Sequence, residues 1–148
     1  VRLPAMLKAC EDAGTDLVVI DGAAVARDVA YEAARHADFI LIPTKTAVFD
    51  TMSMTQTLDI VRQLDRAFAV VLTFVPPQGQ ETADAIKAVA ELGATVCPVT
   101  IGSRKAFFRA QAAGQAVQEF EPQGPAADEI RRLYEYTTIR IYNEAEAA

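Results

Sequence analysis

The chain has one histidine, two cysteines, no run of eighteen apolar residues and no low-complexity tract. Lack of a long apolar run argues against a membrane-crossing helix. The amino terminus also lacks the charged-then-apolar pattern of a secretory signal, so the expectation is a soluble, cytoplasmic protein. Cys10 and Cys97 are far apart and outside any metal-ligand spacing. That favours a reducing compartment, and two small core residues over a disulfide framework or reactive thiols. His36 falls in the last turn of a predicted helix, where partial positive charge is favourable, which argues against a catalytic role. The seven glycines, at 14, 22, 79, 93, 102, 114 and 124, are dispersed. No G-x-x-x-x-G-K-S/T loop, standard or deviant, is formed from them, so these residues alone make no phosphate cradle.

What is present suits a single globular domain: 148 residues, 51% of them apolar, suffice for a real core. The net charge of −6 argues against binding nucleic acid by bulk electrostatics but leaves room for a local basic patch. Residue 1 is Val instead of Met, which reads as a chain that was processed or cut from something longer.

Four short runs rich in β-branched or aromatic residues read as strands: LVVID (17–21), FILIPT (39–44), FAVVLTFV (68–75) and TVCPVTI (95–101). Their nearly continuous hydrophobicity predicts strands covered on both faces, as in a parallel sheet layered between helices. Pro98 removes a ladder donor and places the fourth run at an edge or beside a bulge. Helical patterns fill the intervals. Residues 2–13 precede the first strand. Residues 25–36 carry a Val25, Val29, Ala33 stripe, and residues 51–65 carry Met54, Leu58, Val61 and Leu64 behind an Asp50 cap. Residues 81–92 end at Gly93, and a helix capped by Ser103 runs to Gly114. Gly124-Pro125 opens a long helix with Ile130, Leu133, Tyr134, Thr137 and Ile141 inward. The fold class expected is α/β, a mostly parallel sheet between helices with right-handed crossovers.

In such sheets working residues gather past the carboxyl ends of strands, here Asp21-Gly22, Pro43-Thr44-Lys45, Val75-Pro76-Pro77 and Gly102-Ser103-Arg104. Asp21 closes an apolar run just before Gly-Ala-Ala, so its carboxylate is presented where the chain turns. A hard cation such as Mg²⁺ takes oxygen ligands, keeps several waters and is oriented by one such carboxylate beside phosphates. Helix capping or turn formation is the plainer role for an Asp in this position. Lys45 follows a strand end, as a phosphate ligand would. Phe49 and Asp50 suit packing and capping; Phe107, Phe108 and the tyrosines of the last helix suit core or interface positions better than a base-stacking platform.

Taken together, DLVVIDGAA (16–24), ADFILIPTKTAVFD (37–50) and IGSRKAFFRAQAAGQAVQEFEPQGPAADEIRRL (101–133) resemble the second half of the ParA/MinD-type deviant Walker ATPases. The Asp-Gly-Ala turn is closest in type to the small ParF-like plasmid partition proteins. The resemblance spans essentially the whole chain in order and implies a P-loop NTPase-like fold, incomplete at its amino terminus. It implies ATP and Mg²⁺ as cofactors of the complete protein, with Asp21 as the Walker B carboxylate acting through a metal-bound water and Gly22 beside it. The segment Thr73-Phe74-Val75-Pro76-Pro77 would match the region flanking the adenine, with Thr73, Pro76 and Pro77 as its binding residues, where family members often carry Asn at the position of Thr73. Arg104, with Lys105 and Arg109, would match the basic surface that ParA-type dimers present to DNA; Arg131 and Arg132 are possible neighbours, although Glu129 and Glu135 suit them better as surface pairs. The resemblance gives Lys45 no role.

The partners implied are a second copy, nonspecific DNA and a ParB-like centromere-binding protein, with no membrane. Without the lysine-bearing loop, phosphoryl transfer lacks its main electrostatic stabiliser, so catalysis by these residues alone is not expected. In the resembled fold the Asp21 strand pairs with strands from an absent amino-terminal segment, which predicts unpaired edges repaired by rearrangement or association. The alternatives are a non-enzymatic interaction module on the same scaffold and a phosphoacceptor receiver domain; the second wants an acidic cluster around Asp21 that the sequence does not supply. The acidic end IYNEAEAA (141–148) has no basic amphipathic face and disfavours a membrane-tethering tail.

Overall fold

A computed structural model describes residues 2–22, 27–46 and 54–145. Its centre is a pair of parallel strands, β1 (Ile40–Lys45) and β2 (Phe68–Thr73), in register from Ile40 opposite Phe68 to Lys45 opposite Thr73. β2 (FAVVLT) is covered on both faces, whereas β1 (ILIPTK) is apolar over Ile40–Ile42 and then exposes Pro43 and Lys45 while burying Thr44. On one face Ile42, Val70 and Leu72 pack with Met54, Leu58 and Val61 and with Ala85, Val89 and Ala94. On the other, Ala69 and Val71 pack with Cys97 and Val99, joined by Leu41, Leu133 and Tyr136. The described chain is thus mixed helix and strand, with a two-stranded parallel sheet between helices, as the α/β expectation requires.

The helices follow the predicted order. They are α1 (Leu3–Asp12), α2 (Arg27–His36), α3 (Thr55–Gln63), α4 (Glu81–Glu91), α5 (Lys105–Ala112), the short α6 (Val117–Phe120) and α7 (Pro125–Ala145). Gly93 (φ +67°) and Gly114 (φ +68°) end α4 and α5 in the left-handed conformation that glycine adopts without strain. There Ala94 N–H donates to Val89 O and Gln115 N–H to Ala110 O, satisfying carbonyls the helices leave open. α5, α6 and α7 share a third cluster built on Ala110, Val117 and Ala126.

Five expectations require correction. Residues 17–21 form no strand: the segment is in no ladder among the described residues, and Val19 is 84% exposed. Residues 95–101 contribute only a bridge from Val96 to Val70, with a second bridge from Gly102 to Val75. Cys97 N–H donates to Val70 O, but the next ladder donor is Ile101, to Leu72 O, where a regular parallel strand would use residue 99. Pro98 lies inside this bulge, the role its missing N–H predicts. Tyr134 is exposed, and Val29 is exposed while Ala34 is the buried residue of α2. Finally, α5 is preceded by Arg104 in extended conformation with no side-chain cap, so Ser103 does not cap it. Val25, Phe49 and Asp50 lie outside the described residues.

Candidate functional site

The carboxyl ends of β1 and β2 are where chemistry was expected, and the backbone there is irregular. Ile101 N–H donates to Leu72 O, but Ile101 O accepts from Val75 N–H, one residue later than a regular parallel ladder would use. Ser103 N–H then donates to Val75 O, fixing the chain again. The surplus residue is Phe74. It has φ +53°, a left-handed conformation that a bulky side chain adopts at a cost of order 1 kcal/mol or more, and its side chain is half-exposed. Lys45, from the last position of β1, places Nζ 5.4 Å from the Phe74 ring centroid. Phe108 of α5, 58% exposed, lies with its ring centroid 6.3 Å from that of Phe74.

Below this edge, Arg104 and Glu129 join the loop to α7. Arg104 donates from Nε (2.9 Å) and Nη2 (2.6 Å) to Glu129 Oε1, while Gly102 N–H donates to Oε2 at 3.1 Å. Glu129 is buried, and each of its oxygens is satisfied by a donor of the loop. The hydrogen bond to Glu129 holds the Arg104 guanidinium above its ordinary pKa, against the smaller opposing effect of burial. A Cβ on Gly102 would stand 3.2 Å from Glu129 Oε1 and 3.3 Å from Arg104 Nε, so glycine leaves room for the pair.

Of the residues singled out from sequence, the structure gathers Thr73, Pro76, Arg104 and Lys105 along this one edge and its following loop. Thr73 pairs in register with Lys45; Pro76 is half-buried and Pro77 exposed. Lys105 and Arg109 are exposed on α5, with no ion pair among the described residues. Arg104 is engaged inside the chain. Arg131 and Arg132 both pair with Asp128, at 3.1 and 3.4 Å, and not with Glu129 or Glu135. Asp21 and Gly22 are exposed, and no hydrogen bond or ion pair joins Asp21 to another described residue. His36 lies 3.3 Å from Glu32 one turn back, a local contact at the end of α2.

Two participants were missed. Glu129 lies three residues after buried Ala126 and four before Leu133, so a carboxylate on an apolar stripe was a readable signal. The outward turn of Phe74 had none, since it depends on how two segments distant in sequence share hydrogen bonds. Among the described residues no group of three His, Cys, Asp or Glu is arranged to hold a metal, and no helix is long and apolar enough to cross a membrane. Compared with protein-family models and with curated proteins, the sequence matches none of them.

Proposed function

We propose that the chain is the carboxy-terminal part of a ParA-type partition ATPase with a P-loop NTPase-like fold. In the complete protein, ATP and Mg²⁺ drive dimerisation, the dimer holds nonspecific DNA, and a ParB-like partner stimulates hydrolysis. The observation that carries this reading is the order of its segments: DLVVIDGAA, then ADFILIPT, then IGSRKAFFRAQAAGQAV. Parallel pairing of β1 with β2 supports it, because parallel strands with intervening helices are what the resemblance requires.

A Mg²⁺ ion is commonly held through one or two carboxylates with several waters retained, and Asp21, exposed and without a partner among the described residues, fits that modest demand. Asp21 would orient a metal-bound water, and Thr73 with Pro76 and Pro77 would flank the base. The metal would neutralise phosphate charge. The phosphates themselves need a lysine-bearing glycine loop from other polypeptide. In a protein that carries such a loop, Asp21→Ala should abolish ATP turnover with the melting temperature unchanged. Undiminished hydrolysis by that variant removes Asp21 from the metal site and the assignment with it.

A non-enzymatic interaction module is favoured by one observation. The apolar Val18 and Val19 are exposed in a segment with no strand partner among the described residues. Light scattering on the purified chain reads this alternative directly. Association abolished by Val19→Asp supports the module, and a monomer at all concentrations rejects it.

A further inference from the structure

The Phe74 bulge is a specific arrangement that merely ending a strand does not require. A strand that only needed to turn would place Gly or Asn at the left-handed position, whereas here a bulky ring occupies it and is thrust outward. Bulges re-aim side chains, and strained residues cluster where a fold serves a ligand. The ring meets a cation, Lys45 Nζ at 5.4 Å, and a second exposed ring, Phe108 at 6.3 Å. Lys105 precedes Phe108 by three residues and shares its face of α5; Arg109 follows it directly. Lys105 begins the helix, where a cation opposes the macrodipole, and stands four residues from the like charge of Arg109. Arg104 adds nothing to this surface because Glu129 neutralises it. Phe74, with Lys45 over its ring, and Phe108, on the same helix as Lys105 and Arg109, are thus two half-exposed rings accompanied by three cations that have no ion pair among the described residues, on a chain whose net charge is −6.

We propose that this edge is a stacking platform for single-stranded nucleic acid. Unpaired bases would lie on Phe74 and Phe108, and the backbone phosphates would meet Lys45, Lys105 and Arg109. The two parts have separate consequences: rings accept any base face, and cations make binding depend on salt. An acidic peptide would satisfy the cations but give no reason for two outward rings. A duplex hides its base faces and would use the cations alone. The proposal shares Lys105 and Arg109 with the DNA-facing surface that the ParA resemblance implies, but its stacking element, Phe74 with Phe108, and its preference for a single strand need neither Asp21 nor a phosphate loop.

The test is fluorescence anisotropy of the purified protein with a labelled thymidylate 20-mer, at about 50 mM and 200 mM salt, beside a duplex of equal length. The single strand should bind more tightly than the duplex. Its affinity should fall on the order of tenfold over that salt range, as three phosphate contacts require. Phe74→Gly removes a ring and relieves the left-handed backbone, so it should weaken binding at least fivefold while the melting temperature holds or rises. Phe108→Ala, on an exposed helix position, should weaken binding similarly and gives the same reading independently of the backbone at 74. Absence of binding, variants within twofold of the parent, equal affinity for duplex, or displacement of the probe by millimolar ATP each overturns the proposal. Asp21→Ala should bind the strand normally, which separates this outcome from that of the ATPase reading.

Discussion

Arg104 and Glu129, twenty-five residues apart, share one buried carboxylate with the backbone N–H of Gly102, so the loop leaving the sheet is fastened to the second turn of α7. The two ends are unequal. The Glu129 side chain is 9% exposed and that of Arg104 is 39% exposed. Removing Arg104 strands a buried carboxylate, whereas removing Glu129 leaves a guanidinium that can turn to water. We expect Arg104→Ala to cost about 2–3 kcal/mol, below the range for fully buried pairs because Arg104 is partly solvated, and Glu129→Gln to cost about 1 kcal/mol. Urea denaturation of both variants and the double variant checks this. Costs that simply add would mean that the pair is not coupled.

The face of the sheet toward α3 and α4 carries the larger cluster, and Leu58 is fully buried at its middle. Leu58→Ala should cost about 3 kcal/mol from lost burial plus the cavity left behind. Leu58→Met, nearly volume-conserving, should cost less than about 1.5 kcal/mol. A small effect of Leu58→Ala in chemical denaturation would show that this face is not the core.

The sequence made legible whatever local chemistry decides. Six of the predicted helices fall where 3.6-residue stripes and terminators stand, with Gly93, Gly114 and the Gly124-Pro125 start all in their expected roles. Two strands are found where apolar β-branched runs lie beside one another in space. The run at 17–21 has the same composition and no ladder among the described residues, because hydrophobicity states a wish to be covered without supplying the neighbour that covers it. The run at 95–101 pairs at its ends and bulges at Pro98 between them. At the site, the strand-end rule points to Lys45 and Thr73, which do end β1 and β2, but Asp21 follows no strand among the described residues. How the site residues are engaged was not legible, since Glu129 and the Phe74 bulge arise from contacts between segments far apart in sequence.

Val19 turns that contrast into a measurement. At 84% exposure it contributes little burial, so Val19→Ser should change stability by less than about 0.5 kcal/mol in dilute monomeric protein. A covered strand residue such as Val70, fully buried, should lose about 2–3 kcal/mol on substitution by Ala. A Val19→Ser cost comparable to that of Val70→Ala would mean that the 17–21 segment is packed against something in solution.

Cys97 offers a pH test of the second face of the sheet. Burial pushes its thiol above the ordinary value, outweighing the hydrogen bond at Val99 and the charge of Arg140, which act the other way. An acid whose folded pKa is raised keeps its proton in the native state after the unfolded chain has begun to lose it. The unfolded state then binds fewer protons, so stability falls as pH rises. The contribution is fully present below about pH 8 and is lost progressively above the ordinary thiol value of about 8.5, until the folded pKa is passed. Urea midpoints at pH 7.5 and 9.5 should therefore drop further for the parent than for Cys97→Ala. The same burial should leave Cys97 unmodified by iodoacetamide at pH 8 in native buffer, while the partly exposed Cys10 reacts. Equal pH slopes in the two proteins, or rapid alkylation of Cys97, would place its sulfur at the surface and dismantle the cluster it shares with Ala69, Val71 and Val99.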